Sequence, residues 1–475
     1  MRRAIFFCDL DQNQKSAAIT WSKVNGVLGR GGSKHTLSFD KDVKLKINSP
    51  NMGSLSDSIG QTSEDLIACA CHVYQADRII SRGNKWHREL EFHIAVSKKD
   101  LWNTLALQLK MIIERLTGDD VRFQFYDLTK KRKELRLPGL VVGPRPGGIC
   151  IFSDNLDAVV GLFRESNNKP LIASFRYEQN SYRTQDRLIR TILNSTNAQE
   201  YIRFGIITSK GKREATERTS GFLQLALAAA VLKGPGRGRT QTIQVFGNGF
   251  SSYHLREYQL CGGSRLPVRD THPEFLRFVQ DLMETLYKDD EEPAIEIINP
   301  FQFLTPSDVL AQLLGIGPAH LKLFLDSNDC SEKVLAQRLW KGKSAAHCGC
   351  CFSCKIRYLA ALIAGVYTGG YSAAGYAFDP LKSPAPTRIK ANLGRNLAAK
   401  VTTFHDNGLY LFADYVRYFL SKKTMTNSGI SVVIRRLAAI NLDMSGQKNS
   451  SPAAVEAAIE QVHSNFANEA DRYLP

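Results

Sequence analysis

The apolar positions of this chain change period several times, and the changes divide it into segments. Ala4 to Cys8 is a short apolar run stopped by Asp9, which predicts a first strand rather than a signal peptide. Thr36–Phe39 and Val43–Ile47 alternate apolar with polar residues and predict two more strands. A helix is predicted from Ser63, where Ser63-Glu64-Asp65 offers a cap and an acidic first turn. Leu66, Ala70, Val73, Tyr74 and Asp77 continue it at helical spacing. Leu90–Val96 alternates strictly, as a half-buried strand does. From Asp100 onward Leu101, Leu105, Leu109, Ile112 and Ile113 share one helical face. Residues 1–137 therefore predict an α+β unit.

Pro138-Gly139 and Gly143-Pro144-Arg145-Pro146-Gly147-Gly148 form a linker. Beyond it, apolar runs at 149–152, 171–175, 201–207, 243–246 and 294–298 alternate with helical patterns, including 183–193 and the apolar Phe222–Leu232. Strands alternating with helices predict an α/β unit over 149–375, a parallel, doubly wound sheet with helices on both faces. Ligands of such sheets bind outside the carboxyl ends of the strands, and the turn after Phe152 is such a place. From residue 376 to 475 the pattern is mostly helical and ends in a 455–471 helix, with Ser445 to Pro452 as a polar loop.

Composition narrows the classes. The chain has 475 residues with 43% hydrophobic and 23% charged content, ordinary for a globular protein with two or three cores. The longest apolar run, 222–232, is too short to span a bilayer, so no membrane partner is expected. Ten cysteines are few for this length and four fall in one window, which argues for a reducing cytoplasm over a secreted disulfide framework. The net charge of +16 suggests an anionic partner, nucleic acid among them. Lys130-Lys131-Arg132-Lys133, then Lys210, Lys212 and Arg213, then Lys233 to Arg239 carry part of it, each a solvated loop or a phosphate contact.

The sharpest signal is His347-Cys348-Gly349-Cys350-Cys351-Phe352-Ser353-Cys354. Cys348, Cys351 and Cys354 follow one another at spacings of three, so two overlapping C-x-x-C turns supply three thiolates from one knuckle. Zinc takes four such ligands in a tetrahedron at about 2.3 Å. The fourth must come from elsewhere; Cys330 is the nearest upstream candidate, with His347 as the alternative. Four soft ligands with no open position make a structural site.

The turn at 149–163 joins a strand to a helix, a geometry whose free N–H groups favour phosphate. Here a family resemblance enters. Ser153-Asp154-Asn155-Leu156-Asp157-Ala158 resembles the S-G-G-x-D-S loop of the N-type ATP pyrophosphatases. The Cys-Gly-x-Cys-x-x-Cys-x-x-Arg knuckle ending at Arg357 resembles the zinc site of the 7-cyano-7-deazaguanine synthases, the QueC-like branch of that superfamily. Further matches resemble the QueC-like proteins of the Qat antiphage systems (the QatC family) more closely still. That likeness rests on Asp65-Leu66, Val73 to Arg78, Trp86-His87-Arg88, Asn248-Gly249, Thr271-His272-Pro273, Asn299-Pro300-Phe301 with Thr305, and Cys330-Ser331. It covers roughly residues 60 to 375.

The resemblance implies an adenine nucleotide alpha hydrolase-like (HUP) sheet with a structural zinc knuckle, an α+β N-terminal domain and a helical C-terminal extension. It implies ATP with magnesium held by Ser153, Asp154, Asn155, Asp157 and Ala158, with Ser153 and Asp157 as the catalytic pair. Asn248, Arg269 and His272 would line a substrate or partner cleft. The loop departs from the family, however. Asp154 and Asn155 stand at the glycine positions, Ala158 at the last serine, Gly247 where an acid is expected and Pro306 where a lysine is expected. A carboxylate in the cradle repels a phosphate by about 1 kcal/mol at 4 Å in water and about 4 at an effective dielectric of 20.

The reading that follows is a QueC-like zinc protein of a prokaryotic antiviral system, with impaired ATP chemistry and a protein partner from the same operon. One alternative is an active ATP-dependent enzyme that activates a 7-deazapurine carboxylate or joins such a base to a protein. Another is a basic nucleic-acid-binding module. Asp157 also reads as an acid serving the helix dipole, His272 as a turn residue before Pro273, and Arg357 as a brace for the knuckle.

Overall fold

A computed structural model describes residues 2–24, 33–48, 56–82, 87–132, 136–138, 148–168, 170–176, 179–195, 200–208, 214, 218–233, 241–253, 270–289, 294–317, 320–330, 347–367, 376, 379–381, 416, 438 and 451–473. The first part runs β1 (Arg2–Cys8), α1 (Gln12–Val24), β2 (Ser33–Leu37), α2 (Phe39–Asp42), β3 (Val43–Asn48), β4 (Ser56–Ser58), α3 (Gln61–Ile79), β5 (Arg88–Val96), α4 (Lys99–Thr104), α5 (Ala106–Thr117), β6 (Asp120–Asp127) and β7 (Arg136–Pro138). The second part holds β8 (Ile149–Phe152), α6 (Leu156–Glu165), β9 (Leu171–Arg176), α7 (Gln179–Ser195), β10 (Glu200–Thr208), α8 (Ser220–Leu232), β11 (Thr242–Gln244) and α9 (Gly249–Tyr253). It continues with α10 (Pro273–Leu286), β12 (Glu296–Ile298), α11 (Pro306–Ile316), α12 (Leu321–Asp326) and α13 (Phe352–Ile363). Of the expected helical C-terminal region, α14 (Pro452–Asp471) is described; most of the rest lies outside the described residues.

The architecture is mixed α/β with two parallel sheets. The first has the order β2-β1-β5-β6, and every pairing in it is parallel. This corrects the α+β expectation for the N-terminal unit: helices separate its strands, as parallel crossovers require. Stacked rings tie its central strands together, Phe6 on Phe92 at 5.0 Å and Phe92 on Phe123 at 5.2 Å. β5 is buried almost throughout rather than half-buried, because its polar positions are buried too. His93 Nε2 lies 2.6 Å from a Glu91 carboxylate oxygen and 3.1 Å from Ser22 Oγ. The helix expected from Ser63 begins two residues earlier, and Ser63 is buried against the Tyr287 hydroxyl at 3.0 Å instead of capping it.

The second sheet has the order β12-β11-β8-β9-β10-β3. Its pairings are parallel except at the edge, where β3 joins β10 antiparallel. Residues 43–48, expected within the first unit, thus belong to the second sheet. Both faces of that sheet are covered, and the strands show it residue by residue. Ile149 and Ile151 of β8, and Leu171, Ala173 and Phe175 of β9, enter the core that contains α3 and α8. Cys150, Phe152 and Ile172, one position out of phase, enter the core built by α6, α7 and α11. α8 is apolar on all sides because it is buried there, packed against α3.

The first core is continuous between the two sheets. Buried charges reinforce the junction. Arg82 and Arg88 each bond both Asp77 and Asp119, at 2.5–2.8 Å. Asp77 also accepts the Arg218 backbone N–H at 2.9 Å, just before α8. Asp65, Asp77 and Arg88, three residues that carry the family likeness, are therefore buried framework charges. Arg132, expected on a solvated loop or in a phosphate contact, is instead buried, bonded to Asp65 at 2.5 Å and Asp9 at 3.1 Å. Lys130 and Lys131 are exposed, and the Lys233 ammonium lies 5.3 Å from the Tyr287 ring centre. Lys133, Lys210, Lys212, Arg213 and residues 234–239 fall outside the described residues. Among the described residues no helix is long and apolar enough to cross a membrane.

Candidate functional site

From β8 the second sheet grows through β9 to β10, then returns through α8 to β11 on the other side of β8. The order reverses between β8 and β11, and open α/β sheets bind ligands outside such a reversal. The two turns that meet there are 153–155 and 245–248.

Asn155 is the N-cap of α6, its Oδ1 accepting the Ala158 N–H at 2.8 Å. This short polar side chain, at a position the resembled loop gives to glycine, thus serves the helix by satisfying one of its free N–H donors. Ser153 sits partly exposed in the turn. Asp154 is buried, and its carbonyl accepts the Asn328 N–H at 2.5 Å. Asp157, in the first turn, accepts from both the backbone N–H and the side-chain amide of Asn248, each at 2.8 Å. Burial first, and the nearby Asp329 carboxylate as well, push the Asp157 carboxyl up to about 7, against the two Asn248 donors.

Asp329 is the residue that sequence reasoning missed. Its Oδ1 accepts the N–H of Leu156, the first residue of α6, at 3.1 Å. Its other oxygen pairs with Arg357, which also donates to Ser327 Oγ at 2.9 Å and to the Phe324 carbonyl. The guanidinium lies 4.0 Å from the Phe324 ring centre. A carboxylate thus occupies the helix N-terminus where an anion would be received. The available signal was its position directly before Cys330.

The turns after β11 and β12 account for two residues that depart from the resembled pattern, Gly247 and Pro306. A side chain at 247 would begin 2.5 Å from Thr271 Oγ1 and 2.7 Å from its Cβ, so the backbone admits only glycine without rearrangement. Asn299 clamps that glycine, donating to its carbonyl at 2.8 Å and accepting its N–H at 3.2 Å. Thr305 and Asp308 form a reciprocal capping box at the start of α11, with Pro306 as its first residue. His272 caps α10, Nδ1 accepting the Glu274 N–H at 3.1 Å, and its Nε2 lies 2.5 Å from Arg115 of the first unit. Arg269 lies outside the described residues.

The thiols gather beside this site. Sulfurs of Cys330, Cys348, Cys351 and Cys354 all lie within 4.8 Å of one another, and all four residues are buried. Cys348 and Cys354 are 3.9 Å apart, near the edge of about 3.8 Å that a tetrahedron with 2.3 Å metal–sulfur bonds requires. No two of the described cysteines are bonded to each other. Backbone N–H groups of Cys350 and Cys351 donate to Cys348 Sγ at 3.3 Å, and that of Cys348 to Cys330 Sγ at 3.4 Å, donors of the kind a metal-bound thiolate accepts, while burial pushes the Cys354 thiol up. Buried Lys355, bonded to the Pro380 carbonyl at 2.8 Å, lies beside them, and burial pushes its ammonium down to about 8. The donor set fits a soft metal ion such as zinc. His347 is not one of the four, and its ring stacks on Tyr376 at 4.9 Å.

No family model matches the chain, and no curated protein or solved structure matches it at a significant level.

Proposed function

We propose that this chain is a QueC-like protein of the N-type ATP pyrophosphatase superfamily, related to the QatC family, with zinc in the four-cysteine cluster and a nucleotide cradle that no longer serves ATP. On this reading it acts in a prokaryotic antiviral system by recognising a protein partner. The sheet order, the cradle at the strand reversal and the thiol cluster beside it are what such a protein needs.

The observation that carries the loss of ATP chemistry is the Asp329 carboxylate on the Leu156 N–H. Asp154 and Asn155 add to it, since each puts a side chain where the phosphate needs bare backbone. Phosphate clamps of this kind contribute about 3 kcal/mol or more per donor to transition-state stabilisation. Ser153, Asp157 and Asn248 remain, but without glycines they position no triphosphate.

The test is release of pyrophosphate from magnesium-ATP by the purified, metal-loaded protein, with and without carboxylate-bearing 7-deazapurines. The reading expects no release above the buffer rate. Conversion of ATP to AMP and pyrophosphate at an ordinary enzymatic rate would replace it with the active-enzyme alternative.

A further inference from the structure

The segment Ser327–Cys330 joins the thiol cluster to the cradle. Cys330 gives a sulfur to the cluster, while Asp329 sets its carboxylate on the N-terminus of α6. Asn328 closes the same turn from the other side through its N–H to the Asp154 carbonyl. Arg357, three residues beyond Cys354 on α13, holds the other carboxylate oxygen. Asp329 directly precedes one cysteine of the cluster, and Arg357 follows another by three residues. Arg357 is 3% exposed, and its Nε keeps an N–H with no hydrogen-bond acceptor. A helix N-terminus and a buried guanidinium are the donors that receive a phosphate, and here a carboxylate sits between them.

We propose that Asp329 is an internal substitute for a phosphate group, a latch that keeps the α6 cradle closed to phosphate-bearing molecules. The proposal rests on reading the 153–158 turn as a former nucleotide cradle. Because the carboxylate is tethered, it competes at an effective concentration of about a millimolar or more. A free anion must displace it and also leave Arg357 a counter-charge. Removing the carboxylate vacates the Leu156 N–H and releases a guanidinium toward the same point.

The experiment is calorimetric titration of the full, zinc-loaded chain with inorganic pyrophosphate, comparing wild type with Asp329→Ala and Asp329→Asn. Asp329→Ala should bind at least about tenfold more tightly than wild type, with affinity falling as salt rises. Asp329→Asn, which can still accept from Leu156 but no longer neutralises Arg357, should fall between them. Circular dichroism and metal content establish that each variant is folded; if the alanine variant is not, the asparagine variant decides. Two folded variants that bind pyrophosphate no tighter than wild type overturn the latch. If wild type also fails to bind, the degenerate-cradle reading stands without it. If wild type already binds as tightly as the variants, that reading falls too.

Discussion

Asp157 shows how one residue can keep its place while its surroundings alter its chemistry. It is buried at a helix start, bonded twice to Asn248, with Asp329 nearby. Its carboxyl is raised to about 7 from an ordinary value of 3.8. A raised carboxyl stabilises the fold fully below its unfolded value, and that contribution is lost as pH rises through about 7. The shift corresponds to a few kcal/mol, about 4 at most. Asp157→Asn keeps an oxygen for both Asn248 donors and removes the titration. Urea melts between pH 4 and 8 should show wild type losing stability where the variant stays nearly flat; parallel curves would refute the assignment. At this scale the sequence marked Asp157, because an acid in the first turn of a helix is a local pattern. It could not mark Asp329, whose contact with Leu156 spans 173 positions and has no periodicity to announce it.

The cysteine knuckle was the most legible element, since three of its ligands lie within seven residues and the spacing itself is the chemistry. Metal analysis of the purified chain should find about one zinc per molecule, and Cys351→Ser should lose it. Structural zinc contributes on the order of 10 kcal/mol in small domains, so the variant should also melt markedly lower. Retention of stoichiometric zinc by that variant would show that the four sulfurs are not its ligands. Strands and helices of the second sheet were legible for a related reason: burial on both faces leaves nearly continuous apolar runs, as in β8. β3 was legible as a strand but not as a member of that sheet, because alternation gives the period and not the partner. The buried charges of β5 and its neighbours were hidden because ionic side chains imitate a solvated face in sequence. Asp119→Asn leaves Arg82 and Arg88 short of a counter-charge in a site without water access. It should cost about 3–5 kcal/mol in chemical denaturation; a cost below about 1 would mean the network is not dry.

At the scale of the whole molecule, the two sheets share a core and exchange a strand. β3 leaves the first unit to pair with β10, α3 packs on α8, and the Asp77 cluster reaches Arg218. The linker and the change of period suggested separate domains, and nothing in a linear pattern could report that β3 joins the second sheet. Residues 1–137 expressed alone should therefore lack a cooperative melt, their α3 face and β3 being left without partners. A sharp, reversible transition for that piece would show the first sheet to be independent. On the proposed reading, this α/β frame holds a metal in its four-cysteine cluster beside a cradle already filled by its own carboxylate. The most direct measurement is a crystal structure of the zinc-loaded protein grown with magnesium-ATP. It should show the ion among Cys330, Cys348, Cys351 and Cys354, Asp329 on the Leu156 N–H, and no triphosphate in the 153–158 turn. A triphosphate seated against that N–H, with Asp329 displaced, would contradict it.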